Sequence, residues 1–182
     1  MFARLFPGYR QKEQGYKLYG KLVGQARNPV FYTEFGVSDD MDGRFDMILL
    51  HMFVLDHRLA GEAVGTKKIR RFVQEALFSD MDRSLREMGV GDMSIGKEVK
   101  KMGAAWFGRV KAYTAAIKSD SPLKELSIAV AKNLYKSEDA PHAEAIAGYM
   151  LESLQKLKSV PQPDVVASNF EFPDIHLPAK GK

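Results

Sequence analysis

The chain has 182 residues, 45% of them hydrophobic and 27% charged, and 27 Lys and Arg against 23 Asp and Glu give a formal net charge of +4. That is the balance of a one-domain globular protein with a radius of gyration of roughly 16 Å, large enough to fold around a core without covalent staples. Cysteine is absent, which excludes disulfides, Cys-ligated zinc or iron–sulfur centres and thiol catalysis, and fits a reducing compartment.

Apolar residues recur at helical spacing almost throughout, and few runs alternate as strands do. The expected fold is all-α: a single-domain bundle of about seven helices around a buried central helix. Residues 1–158 form the helical domain and residues 159–182 an extended, Pro-containing tail packed on it. Arg4 and Pro7 interrupt any apolar segment at the N-terminus, so no signal peptide is expected there. The longest strongly apolar run, Met47 to Leu55, is far short of the about 20 residues that cross a bilayer. A cytoplasmic bacterial protein is the expectation.

In chain order, a first helix is predicted from about Tyr9 to Arg27. Pro29 suits the first turn of a short helix ending near Phe35. Residues 36–41 read as a loop. Asp42 is the expected N-cap of a third helix, Gly43 to Leu59. Met47, Ile48, Leu49, Leu50, Met52, Phe53, Val54 and Leu55 leave it almost no polar face, which marks a buried helix. The fourth helix, about Thr66 to Met88, turns Ile69, Phe72, Val73, Ala76 and Leu77 inward, and Gly89 is its expected C′ residue. The same stripe carries Asp80 partly inside, where a carboxylate needs a partner; Arg83, Arg44, His51 and His57 are the candidates. A fifth helix is predicted from about Ile95 to Lys118, with Ser94 or Asp92 as N-cap. Ile95, Val99, Met102, Trp106, Val110, Tyr113 and Ile117 face inward. Lys97, Lys100, Lys101, Lys111 and Lys118 face outward, with Ala104, Gly108 and Ala115 among them. A sixth helix follows Pro122 to about Lys136, and a seventh has Pro141 in its first turn. Pro161, Pro163, Pro173 and Pro178 forbid a long helix in the tail, which Val165, Val166, Phe170, Phe172 and Ile175 anchor to the body.

Charge is concentrated in residues 67–118, with twelve basic against six acidic side chains. Such a surface suits RNA phosphates, anionic lipid or an acidic protein. Few aromatics accompany it, so sequence-specific RNA reading is not expected, and no DNA partner is. Several catalytic patterns are excluded. Gly91 to Glu98 imitates part of a phosphate-binding loop, but Glu98 stands where a magnesium-binding hydroxyl belongs and the segment follows a helix. His51, His57, His142 and His176 form no H-E-x-x-H, and the paired Glu-x-x-His motifs of metal-holding bundles are missing. No G-x-S-x-G elbow exists. Asp80 and Asp82 point to different helix faces and make no acid/base pair.

Three blocks carry a family resemblance: Asp42-Gly-Arg-Phe-Asp46 with the apolar helix ending Leu55-Asp-His-Arg-Leu59; the long stretch from Ala76 to Met102, with F-x-D-M-D-x-x-L-R-E-M-G-V-G-D inside it; and Gln25 to Tyr32 with Phe107 to Tyr113. Over about residues 25–118 the chain closely resembles the ubiquinol–cytochrome c chaperone family, the bacterial and mitochondrial assembly factors of the cytochrome bc1 complex (complex III). The resemblance implies an all-helical, non-enzymatic chaperone that holds newly made cytochrome b. It also implies contact near the ribosomal exit tunnel and, in the mitochondrial relatives, a small partner protein. It implies no catalytic residues, and no cofactor or metal is expected.

The expected partner surface is the Asp80–Lys101 region. Asp80, Asp82 and Arg86 are to fix the connection between helices or pair with client polar groups. Met88, Val90 and Met93 are to give apolar contact, with Met81 and Met102 nearby, because methionine adapts to irregular surfaces. Lys97, Lys100 and Lys101 are to meet an anionic partner, ribosome or membrane. Two other readings compete: a small helical enzyme or ligand binder of haem-oxygenase-like type with a pocket at His51, Asp80 and Tyr113, and a membrane-surface protein that uses the basic helix alone.

Overall fold

Thirteen of the nineteen residues of the third helix are buried, and the other elements are arranged around it. The computed structural model describes residues 7–60 and 64–175; the expectations placed on the first six residues, and on His176 and Pro178, lie outside them. The described residues form α1 (Pro7–Ala26), α2 (Val30–Thr33), α3 (Met41–Leu59), α4 (Val64–Glu87), α5 (Asp92–Ile117), α6 (Pro122–Val130), α7 (Ala143–Ser159) and α8 (Gln162–Ala167), with no strand among them. The fold is all-α. α1 lies along α4 and α3, α5 packs on α6, α4 and α3, and α7 pairs with α6 and closes on α3.

The apolar run of α3 explains its central place. Met47, Leu49, Leu50, Met52, Val54 and Leu55 have no exposed surface. At about 1.5–3 kcal/mol for each fully buried side chain, these six contribute on the order of 10–20 kcal/mol before conformational entropy is charged. The N-cap is Asp40 rather than Asp42. Its side chain accepts from the Gly43 N–H at 2.7 Å and from the Ser38 hydroxyl at 2.6 Å, and these bonds hold its carboxyl below the usual range. The chain turns so tightly here that a Cβ on Gly43 would lie 2.0 Å from the Ser38 carbonyl oxygen. That close approach is why the Asp-Gly pair opens this helix.

Buried carboxylates fix both ends of the apolar run. Asp56 receives a two-pronged bond from Arg70 of α4 at 2.6 and 2.7 Å, and a third from Gln74 at 2.9 Å. Asp46 is paired with Arg109 of α5. Arg109 also donates to the Asn133 carbonyl at 3.0 Å. That carbonyl belongs to a π-helical turn, Ala131–Tyr135, which ends the sixth helix instead of the regular turn expected up to Lys136. Lys136 itself is left-handed, with φ 54°.

Other boundaries differ for local reasons. α5 begins at Asp92, three residues before the expected Ile95, with Gly91 as a cap that makes no side-chain bond. Asp92 therefore sits in the first turn, where its charge complements the helix dipole, and Ser94 is not a cap. Pro141 precedes α7 instead of lying in its first turn. The tail is not extended throughout: Pro163 fits the first turn of α8, and Ser168 ends that helix at φ 64°. Val165, Phe170, Phe172 and Ile175 are buried against the body.

Candidate functional site

The α4–α5 connection is built by backbone hydrogen bonds. Gly89, at φ +79°, is the C′ residue. The Val90 N–H donates to the Leu85 carbonyl and the Gly89 N–H to the Arg86 carbonyl, both at 3.0 Å, which is the double closure of a left-handed helix end. Arg86 then bridges the connection, reaching Asp82 at 2.8 Å and Asp92 at 2.5 Å. These bonds lower the Asp82 pKa and raise that of Arg86. Asp82 and Arg86 thus serve as a brace on the protein's own connection.

Beside this brace lies a cleft of about 360 Å³ between α1, the start of α3, α4 and α5. Its apolar lining is Met41, Phe45, Ile48, Leu77, Met81, Met88 and Met102. Four of these seven are methionines, drawn from three helices and the turn after α4. Met81 is buried, Met102 half-buried, and Met88 52% exposed at the mouth. The polar lining is Tyr19, Arg27, Asp39, Asp40, Arg44, Asp80 and Ser84. Arg44 is held by Asp39 at 2.7 Å, whereas Arg27 has no ion-pair partner among the described residues. Asp80 accepts from the Tyr19 hydroxyl at 2.8 Å and pairs with Arg83. Burial, then the bond to Asp80, pushes the Tyr19 phenol far above its usual pKa, so it stays a donor.

Of the residues expected to form a partner surface, Asp80 and Met88 line this cleft, and Met81 and Met102 floor it. Val90 is half-buried beside it, and Met93 is 98% exposed on α5. Lys97, Lys100 and Lys101 are exposed on the outer side of α5, away from the lining. The expected region therefore divides into a recess and a separate basic face.

His51, Asp80 and Tyr113 are not brought together. His51 is wholly buried, with Nδ1 2.8 Å from the Met47 carbonyl and Nε2 2.8 Å from the Tyr149 hydroxyl. The carbonyl requires the proton on Nδ1, so Tyr149 donates to Nε2 and the ring is neutral. Burial takes its pKa down to about 4. Tyr149 in turn accepts from Gln25 at 3.0 Å. Tyr113 packs edge-on against Phe53, and Asp80 faces α1. Of the four expected partners Arg83 pairs with Asp80, while Arg44, His51 and His57 do not; Tyr19 is a further partner, which helical spacing within α4 could not reveal. Among the described residues no group of three or more His, Asp or Glu is placed to hold a metal ion, and no helix is long and apolar enough to cross a membrane.

The Asp46–Arg109 pair was missed by sequence reasoning. Its signal was present: Arg109 lies three residues after Trp106 and four before Tyr113, on the inward stripe of α5. Asp46 Oδ2 has Lys136 at 3.6 Å but no hydrogen bond of its own. Burial raises the Asp46 pKa to about 6 against the pull of Arg109 and Lys136.

The fold and the cleft define an all-α scaffold that presents a sulfur-rich apolar recess under a charged rim, with its adjoining connection bridged by Arg86. Residues 33–172 match the family model described as ubiquinol-cytochrome C chaperone, and the chain belongs to that family. A crystal structure of the Cbp3 homolog from Brucella abortus superposes with a TM-score of 0.83 at 30% identity, covering 96% of this chain and 97% of that one. The human protein named ubiquinol-cytochrome c reductase complex assembly factor 1 is 23% identical over 152 residues, 82% of this chain and 50% of its own length. Its Xenopus laevis counterpart is 19% identical over 152 residues, 82% of this chain and 75% of its own length. The chain thus spans about half the length of the human relative it matches.

Proposed function

We propose that this chain is an assembly chaperone for ubiquinol–cytochrome c reductase that binds newly made cytochrome b, with the methionine-floored cleft as the client-holding surface. The observation that carries this reading is the cleft itself, in a chain of this family. A client with membrane-spanning helices displays apolar stripes of varied shape before it is assembled. Methionine has three rotatable bonds and a polarizable sulfur, so a lining of Met41, Met81, Met88 and Met102 adapts to such stripes at low strain. At about 360 Å³ the cleft lies near the lower end of the size range of small-molecule sites. It suits a few anchor side chains from one face of a client helix, in the manner of helix-in-groove recognition.

The rim supplies register. Arg27, which has no ion-pair partner among the described residues, can meet a client carboxylate or backbone carbonyl at a loop. Asp80, fixed by Tyr19 and Arg83, accepts from client donors. Asp82 and Arg86 keep the α4–α5 connection rigid so that Met88 and Val90 are presented at a fixed edge. The action is binding and release, without covalent chemistry. The reading places the protein at the cytoplasmic face of a bacterial membrane, taking its client as it leaves the ribosomal exit tunnel.

The test has two parts. Deletion of the gene should lower spectroscopic cytochrome b and assembled reductase together. A photocrosslinker at Met88 or Met102 should capture cytochrome b during synthesis, while one at the exposed Glu138 should not. Normal cytochrome b in the deletion strain, or capture from Glu138 but not from Met88, would refute the reading.

A further inference from the structure

The outer face of α5 shares no lining with the cleft and carries its own chemistry. Met93, Lys97, Lys100, Ala104, Phe107, Lys111, Ala115 and Lys118 follow each other at steps of three and four, and all eight are exposed. Met93 is 98% exposed and Phe107 67% exposed. Counted at 1.5 Å per residue, they stand about 21 Å apart on one straight stripe. No acidic residue falls on it: Asp92 and Glu98 lie at its flanks, tied to Arg86 and Lys101. Lys97, Lys100, Lys111 and Lys118 have no ion-pair partner among the described residues. Gly108 sits on the same face mid-helix, where glycine is disfavoured. A Cβ there would meet nothing within 4 Å, so no neighbour in this chain demands it. It keeps the surface flat.

We propose that this face is a membrane-docking surface: α5 lies flat on an anionic lipid leaflet, with Phe107 and Met93 inserted among the acyl chains and Lys97, Lys100, Lys111 and Lys118 at the headgroups. Charge complementarity names an anionic partner, and the side-chain types choose lipid over RNA. Every cation on the stripe is lysine, a point charge suited to diffuse headgroups; the planar fork of arginine that grips single phosphates is absent from it, since Arg109 is turned inward. Phe107 is the one aromatic on the stripe and Met93 has no π-face, so successive bases have no platform to stack along it. An exposed Phe and Met among lysines give the stripe apolar contacts for the acyl boundary beside charges for the headgroups. The face lies on the opposite side of α5 from its packing residues Trp106, Arg109 and Tyr113, so docking leaves the bundle intact. This inference does not rest on the client reading.

The test is flotation of the purified full chain with vesicles of phosphatidylglycerol and phosphatidylcholine, with phosphatidylcholine alone as control. Binding is expected on the anionic vesicles only, falling steeply between 0.05 and 0.5 M salt (values of the assay, about the range over which the Debye length shrinks from roughly 14 to 4 Å). The triple variant K97Q/K100Q/K111Q should bind about 100-fold more weakly, at about fivefold per lysine, and F107S about tenfold more weakly. Both variants should melt close to the parent, because the altered side chains are exposed and Phe107 is only one-third covered. Four outcomes overturn the proposal: no binding to anionic vesicles, equal binding to neutral ones, variants that bind like the parent, or a ribosomal RNA fragment that competes the protein off the vesicles and itself loses affinity in the lysine variant but not in F107S. Cytochrome b capture from Met88 that persists when flotation fails would separate this failure from that of the client reading.

Discussion

Replacing Arg109 by methionine removes the partner of a carboxylate that has nowhere else to go. Asp46 is 4% exposed, Arg109 8%, and the remaining cation, Lys136, is more than half exposed and 3.6 Å away. Breaking a buried pair from one side costs about 3–5 kcal/mol. For a chain of this length about 1 kcal/mol shifts the melting temperature by 2–4 °C, so Arg109→Met should lower it by roughly 6–20 °C. The loss should depend on pH in a definite sense. The folded pKa of Asp46 is already raised to about 6, against about 3.9 unfolded. Stability contributed by a group of raised pKa is fully present below the unfolded value and lost as pH rises through the folded value. Without Arg109 the folded pKa rises further, so the deficit relative to the parent should be largest near pH 8 and shrink towards pH 5. Asp46→Asn leaves the guanidinium buried and always charged, so its deficit should not shrink in that way. The double variant Asp46→Leu with Arg109→Met should recover most of the loss, since apolar replacements of a buried pair are close to neutral. Urea unfolding followed by circular dichroism at pH 8 and pH 5 completes the cycle. A deficit below about 1 kcal/mol for Arg109→Met at pH 8, the worth of a surface pair, would refute the reasoning.

Other expectations follow from the same geometry. His51 has a folded pKa of about 4 against 6.5 for an ordinary histidine; a depressed value contributes stability above the unfolded pKa that is lost as pH falls, so between pH 7 and 4.5 the parent should lose about 2 kcal/mol more than His51→Gln, measured by parallel urea titrations. Gly43→Ala places a Cβ against the Ser38 carbonyl and should cost about 1–3 kcal/mol through displacement of the 38–43 turn; a melting temperature unchanged from the parent would show that the turn relaxes freely. Arg27→Glu, at the cleft rim, should reduce cytochrome b capture from Met88 severalfold with no change in melting temperature, and unchanged capture would remove the rim from the recognition scheme. Tyr19→Phe leaves Asp80 with Arg83 alone, costs about 1–2 kcal/mol, and should loosen the cleft wall, seen as faster amide exchange near residues 80–84.

Much of the molecule was legible one residue at a time. Met47–Leu55 has no polar side to give to water, so α3 had to be central. Gly89 had to end α4, because the next turn needs a positive φ. The family was legible in the Ala76–Met102 stretch. The lysine stripe of α5 follows from period alone, because a face is defined within a single helix. What periodicity cannot supply is the identity of the neighbour across a helix contact. Asp80 was expected inside and in need of a partner, and Arg83, one turn on, is one; but Tyr19 lies 61 positions away, and only the packing of α1 on α4 brings its hydroxyl to 2.8 Å. The same holds for Asp46 with Arg109, and for His51 with Tyr149. Helix ends shifted by up to three residues where capping choices differ by little energy, as between Asp40 and Asp42. That the residues expected to form a partner surface fall into a methionine-floored recess and a separate outward basic face is likewise a matter of three dimensions. Met88 and Lys97 are close in sequence, but the turn at Gly89 directs one into the cleft and the helix that follows directs the other to solvent.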